Sequence, residues 1–405
     1  MSVSSNPVIA YPSLAKRSVI EFSMALGSFA IGICEFAPMG LMPEMSASMN
    51  ISEFEVGNFI SSYSLGVMVG APLLAVLGAR LERRWLLLLL MAFFAVGNGL
   101  SVMAQNYGDM MLARFLSGMP HGAYFGVMSL IAASLVPPNG RAKAVSRVML
   151  GITGAMLFGS PLATWLGQET GWRSTFALVA GCAIFTMAMI LLFLPKNPNE
   201  VRNNPVNELK AVRNPAIWMS MIIGSVGFAG MFCAFSYQAP TLINQAKADP
   251  SWVPVALAAF GLGGVAGNMF GGWLFDKLQF RSLGVLLLWG TIALLIYPLF
   301  TYTLPSMLIG CFLVGTMVSI SPALQTHLMD IAADAQTLAA ASSASVFNVA
   351  NAMGPWLSGM AVAAGFGWSS TGYVGAAMTG LALAMYLVFG RIASGQTLAA
   401  NNLSR

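Results

Sequence analysis

Charge is scarce in this chain. Asp, Glu, Lys and Arg make up 8% of the 405 residues, against ~25% in a typical soluble domain. Hydrophobic residues make up 57%. That balance excludes an ordinary water-soluble enzyme. Cysteine is also rare: Cys34, Cys182, Cys233 and Cys311 lie singly inside apolar runs. A disulfide framework or cysteine metal site is not expected, and buried apolar thiols are the better reading. No glycine precedes any lysine, so the phosphate-binding loop GxxxxGK(S/T) is missing. HExxH, CxxC and GxSxG are missing too. Neither an enzyme nor a bound metal or cofactor is expected. No long block of like charge accompanies the net charge of +5, so nucleic acid is not an expected partner.

What is there is apolar sequence in lengths that cross a bilayer. About 20 helical residues span ~30 Å of hydrocarbon, and helices satisfy their own backbone groups in lipid. Twelve spans are read at 19–42, 56–78, 85–104, 110–136, 144–167, 173–195, 215–238, 251–275, 282–302, 305–330, 337–364 and 370–391. Of the 19 Lys and Arg, 16 fall in the tails or in the even-numbered connections and their helix ends. The positive-inside rule then places both termini in the cytoplasm. The expected location is a cell (inner or plasma) membrane.

Two stretches repeat. Residues 63–84 (YSLGVMVGAPLLAVLGARLERR) align with 260–281 (FGLGGVAGNMFGGWLFDKLQFR), 197 positions on, with six identities in 22. Both run from an apolar helix into a basic turn. The polar stretch 196–214 reads as a cytoplasmic linker. It divides the chain into a tail (1–18), a first six-helix bundle (19–195), a second (215–391) and a second tail (392–405). Six spans per half is even, so the halves are parallel repeats.

Polar groups inside the spans are the candidate site. Glu35 lies mid-span in the first helix, and no other acid is comparably deep. A charge there costs ~2.5–3.5 kcal/mol on insertion scales. It reads either as a proton- or substrate-coupling carboxyl or as part of a structural ion pair. Arg114 and His121, seven residues apart, share a face of the fourth span. At 1.5 Å per residue, Glu35 falls between them in depth, so the three form one charge cluster if both helices face one cavity. Arg114 reads alternatively as a snorkelling residue, and His121 as a helix-packing one. Tyr63, Tyr237, Gln238, Asn268, Gln325, Asn348 and Asn351 are the neutral cavity candidates. Gly151, Gly154, Gly159 and Pro161 read as a close-packing or hinge run in the fifth span.

These residues resemble the major facilitator superfamily over nearly the whole chain, and more narrowly its twelve-span drug:proton antiporter branch, near the arabinose-efflux-permease-like (AraJ-like) proteins. GWLFDKLQFR (272–281) is similar to the family loop G-x-L-a-D-r-x-G-r-k through Gly272, Leu274, Asp276, Lys277 and Arg281. The first copy keeps Leu77, Arg80, Arg83 and Arg84 but has Ala79 where the acid is expected. Residues 111–118 are similar to L-x-x-R-x-x-q-G through Arg114 and Gly118. The run ending in Ser160-Pro161 is a degenerate antiporter motif, with Thr164 and Trp165 in place of glycines. The resemblance implies an all-α integral membrane protein with two six-helix bundles. It implies loops at Arg80, Arg83, Arg84, Asp276, Lys277 and Arg281 that gate the cytoplasmic side. The expected activity is proton-coupled efflux of a small organic solute, such as a sugar or drug, by alternating access. A proton symporter or uniporter importing a small solute, and a non-transporting membrane receptor or assembly factor, are the alternatives. The expected partners are the solute, protons and the lipid bilayer, with the chain a monomer.

Overall fold

The structure, a computed structural model, describes residues 12–78, 80–137, 140–195, 215–332 and 336–403, with side chains left out at 75, 76, 142, 329, 330, 332, 336–344 and 390–403. The linker at 196–214 therefore lies outside the described residues. The first half holds α1 (Leu14–Gly40), the short α2 (Met42–Met49), α3 (Glu53–Gly78), α4 (Arg83–Met103) and α5 (Tyr107–Ser134). One broken rod follows: α6 (Arg141–Gly154), a π-turn (Ala155–Gly159) and α7 (Ser160–Thr170); α8 is Arg173–Phe193. The second half holds α9 (Pro215–Ser236), the three-residue α10 (Gln238–Pro240), α11 (Val253–Leu278) and α12 (Arg281–Ile296). A second broken rod joins α13 (Leu304–Gly315) to α14 (Ile320–Ala332); α15 (Gln336–Ala361) and α16 (Ser370–Leu403) complete the chain. Counting each broken rod once, twelve long helical rods follow one another among the described residues. The α16 backbone stays helical to Leu403, beyond the apolar run read at 370–391.

Local sequence sets several helix starts. Ser52 and Glu55 cap α3 reciprocally: Ser52 N–H donates to Glu55 Oε2 at 2.8 Å, and Glu55 N–H to Ser52 Oγ at 3.3 Å. Asn106 caps α5 by accepting from Asp109 N–H at 2.9 Å. Among the described residues, nine helical stretches are long and apolar enough to cross a membrane by length and composition. The three rods outside that group are α3, α5 and α15, of 26, 28 and 26 residues. They carry Tyr63, Arg114 with His121, and Asn348 with Asn351.

The sequence repeat reappears as packing. A Cβ on Gly66 or Gly70 of α3 would strike the backbone of Phe115 or Met119 in α5, and one on Gly118 would strike the Tyr63 carbonyl. In the second half, Gly263, Gly267 and Gly315 stand in the same relation to Phe312, Thr316 and the Phe260 carbonyl. Every one of these residues is 197 positions from its counterpart. Small residues let helix backbones touch where lipid supplies no hydrophobic drive between them.

The halves meet from mid-depth towards the face opposite the termini. Phe36, Met39 and Met42 share one buried cluster with Phe228, Tyr237 and Leu257. Ser61 Oγ donates to the Ala352 carbonyl at 2.8 Å, joining α3 to α15. Met156 and Leu157, in the π-turn, lie against Gly261 of α11. Nearer the termini, a separate cluster that includes Ile20, Met24, Val148 and Ile190 belongs to the first half alone.

Candidate functional site

Glu35 and Arg114 are both fully buried. The Glu35 carboxylate accepts from Asn351 Nδ2 at 3.1 Å, a bond between halves that joins residues 316 positions apart. Both partners sit just before a proline, Pro38 in α1 and Pro355 in α15. A helical proline removes one donor and leaves a carbonyl of the preceding turn without its helical partner, so both turns offer a freed carbonyl beside the contact.

Arg114 reaches the residue next to Glu35. Its Nη1 donates to Cys34 Sγ at 3.1 Å and its Nε to the Phe59 carbonyl at 3.4 Å. The guanidinium Cζ lies 4.4 Å from the Tyr63 ring centroid and 5.6 Å from that of Phe176, within cation–π range. This burial corrects the snorkelling alternative. Tyr63 Oη and His121 Nδ1 are 2.9 Å apart, so His121 joins Arg114 through Tyr63. Among the described residues, Glu35 Oε2, Arg114 Nη2 and Asn351 Oδ1 are buried with no hydrogen-bond partner. Buried polar atoms left open are costly, and here two, on Glu35 and Asn351, sit at one contact between halves.

The remaining candidates separate. Asn348 is buried one turn before Asn351. Gln238 is buried at the start of α10, with Nε2 unpartnered. The Tyr237 hydroxyl donates to the Pro355 carbonyl at 3.1 Å, which makes it a strut between helices of the second half. Asn268 and Gln325 are exposed and stand apart from the cluster. Gly151 and Gly159 are tightly packed on α1, whereas a Cβ on Gly154 would meet only Phe29, at 3.7 Å; close approach does not require that glycine. Pro161 is buried beside the π-turn.

The basic loops also divide. Arg84 Nη2 donates to the Leu191 carbonyl at 2.8 Å, capping the last turn of α8 within its own half. Lys277 Nζ lies 4.1 Å over the Trp273 ring. Arg80, Asp276 and Arg281 are exposed, and Arg83 is half-buried.

Cys34 and Asn98 escaped the reading from sequence. The Cys34 thiol donates to Asn98 Oδ1 at 3.1 Å while accepting from Arg114; it is a polar member of the cluster, which corrects its reading as inert apolar filling. A signal was present: Cys34-Glu35-Phe36 recurs as Cys233-Ala234-Phe235. The Phe36 and Phe235 rings meet between halves, centroids 6.1 Å apart, and Phe235 stacks on Phe260 at 3.7 Å.

A second contact between halves lies outside the spans. Gln168 Nε2 donates to Glu44 Oε1 at 3.1 Å and to the Pro250 carbonyl at 3.0 Å. It borders a cleft of about 350 Å³ lined by Glu44, Ser48, Gln168 and Arg173. Burial pushes the Glu44 carboxyl above its ordinary value, against the hydrogen bonds it accepts. A raised folded pKa stabilises the protein at low pH, and that stabilisation is lost as pH rises through the folded value. Glu44→Gln, neutral at every pH, is therefore expected to raise the melting temperature at pH 7 by about 1–3 °C. The gain should vanish below about pH 4, where Glu is protonated in both states; melting curves of the two proteins across pH check this.

The sequence model of the Major Facilitator Superfamily matches residues 24–342 and 247–401. The inner membrane transport protein YdhP of Escherichia coli (strain K12) is 35% identical over 384 residues, 95% of this chain and 97% of that one. AraJ of the same organism is 30% identical, covering 92% of this chain and 95% of its own length. The "Probable sugar efflux transporter" of Helicobacter pylori (strain P12) is 28% identical, also covering 92% and 95%. Among solved structures, a bacterial homologue of the human lysosomal transporter Spinster superposes with a TM-score of 0.77 at 17% identity, over 94% of this chain and 98% of that one.

Proposed function

Because this chain belongs to the major facilitator superfamily, we propose that it is a proton-coupled exporter of a small organic solute, with Glu35 as the coupling carboxyl. It is a multi-pass inner-membrane protein of a family of transporters. The reading is carried by one observation: the Glu35–Asn351 bond crosses between the halves while Glu35 Oε2 stays open. A proton on Glu35 removes the charge that holds Asn351. A solute hydroxyl or amine takes the same carboxylate in place of Asn351. Proton and solute thus compete for one group, which is the requirement for antiport. Bundles 19–195 and 215–391 rock about this contact, joined by the linker at 196–214. Both termini lie in the cytoplasm, by the distribution of Lys and Arg. Outward transport is supported by the name of the Helicobacter pylori relative, and a sugar or a drug is the solute class proposed.

The test uses proteoliposomes with an imposed pH gradient and a panel of labelled monosaccharides and lipophilic dyes. The wild type should move at least one of them against its concentration gradient. Glu35→Gln should lose that uphill movement by at least about tenfold, one order of magnitude being 1.4 kcal/mol, yet still equilibrate the same solute. Uphill transport by Glu35→Gln at the wild-type rate removes Glu35 from the coupling role.

A further inference from the structure

The two copies of the basic turn have come to differ. The first, 79–84, reads Ala-Arg-Leu-Glu-Arg-Arg, with three arginines against one acid. The second, 276–281, carries Asp276, Lys277 and Arg281. Ala79 stands where the second copy has Asp276 and Glu82 where it has Gln279, so each turn keeps one acid and the first carries one more cation. In the second copy, Lys277 is drawn onto the Trp273 face. In the first, Arg80 is exposed and Arg83 half-buried, and Arg84 donates to the Leu191 carbonyl.

Directly beneath the first turn, α3 and α4 splay to leave a groove of about 200 Å³, lined by Leu77, Leu81, Leu86, Leu89 and Phe93. From Leu86 to Phe93 it runs roughly 10 Å along α4, at 1.5 Å per residue. It opens sideways through the outer face of the bundle, where Leu77 and Leu89 are 66% and 54% exposed. Gly78 permits the close turn, since a Cβ there would meet Leu86 Cδ1 at 2.5 Å.

An apolar trough under a cationic rim, at the depth where the span meets its polar turn, matches one kind of molecule. We propose that this groove is a binding site for an anionic phospholipid. One acyl chain lies along Leu77, Leu86 and Leu89, and the phosphate rests against Arg80 and Arg83. Basic side chains beside a membrane surface draw acidic lipids in this way. The apolar trough selects a lipid over a soluble phosphate, and the surplus of arginine over acid in the first turn selects an anionic headgroup over a zwitterionic one.

The test is native mass spectrometry of the full-length protein, released from detergent containing equal phosphatidylglycerol and phosphatidylcholine. The wild type should retain phosphatidylglycerol preferentially. Arg80→Gln/Arg83→Gln should reduce that preference by about thirtyfold, from the contribution of two basic residues. Lys277→Gln/Arg281→Gln in the second copy should leave it within about twofold, below the contribution of one basic residue. Leu89→Trp, which fills the groove from an exposed position, should lower retention of both lipids; Leu77→Trp serves if that variant is not monodisperse. Equal retention of the two lipids by the wild type, or equal losses from the two loop variants, overturns the proposal. So does displacement by inorganic phosphate at the concentration of phosphatidylglycerol, which would make this a phosphate site.

Discussion

Leucine at Gly118 or at Gly315 is expected to abolish recovery of folded protein, and to do so alike in both halves. At each position the first side-chain carbon would enter a backbone carbonyl, that of Tyr63 or of Phe260. A flexible side chain could swing away; a carbonyl within a membrane helix cannot retreat without parting the two helices. Overpacking commonly costs 1–3 kcal/mol, and here the obstacle is backbone, so about 3 kcal/mol or more is expected at each site. That is a large share of a total stability of about 5–15 kcal/mol. Gly126, on the same helix as Gly118, has nothing within 4 Å of where a Cβ would stand; alanine there should be neutral or stabilising by up to about 1 kcal/mol. Yield of monodisperse protein and melting temperature in detergent give the comparison. Intact folding of Gly118→Leu would mean that α3 and α5 are not in backbone contact.

Arg114→Lys is expected to lose uphill transport by at least about a hundredfold, a difference of roughly 2.7 kcal/mol, and to lower the melting temperature as well. The substitution keeps the charge but not the geometry. The guanidinium donates in two directions, to Cys34 Sγ and the Phe59 carbonyl, while its flat face lies on Tyr63. An ammonium is a compact, strongly hydrated point charge and cannot do all three. Hydrogen bonds to a charged group contribute about 1.5–3 kcal/mol each. Thermal unfolding and flux measured on one preparation separate the two effects. Wild-type flux in Arg114→Lys would show that only the charge at this position is used.

Much of the architecture is legible in the sequence. The apolar runs coincide with helices among the described residues, and nine helical stretches are long and apolar enough to span by length and composition. The 197-residue repeat, visible through a few shared letters such as Gly66/Gly263 and Gly70/Gly267, marks helix contacts, since glycine at a crossing is constrained by backbone rather than by taste in side chains. Glu35 stands out because an acid in an apolar run is expensive. Its partner does not: nothing local to Asn351 distinguishes a bond to α1 from one to a neighbour in its own half. Cys34 is misread because sulfur counts as apolar on any composition scale, and only the approach of Arg114 and Asn98 gives it polar work. Arg84 looks like a loop charge. Whether a loop arginine faces solvent or a carbonyl on α8 depends on a contact 107 positions away.

The π-turn at Ala155–Gly159 changes how its rod must be drawn. Ser160 N–H bonds back to the Ala155 carbonyl, five residues away, so one more residue is wound in than an α-helix holds, worth about 100° of rotation. Towards α1 the contacts fall at Gly151, Ala155 and Gly159 in steps of four, and then at Thr164, a step of five. A single wheel projected through 141–170 would assign residues beyond the turn to the wrong neighbours. The skipped beat also bows Met156 and Leu157 out towards α11, so one strand of chain clasps its own bundle along one edge and leans on the opposite bundle at a single knuckle.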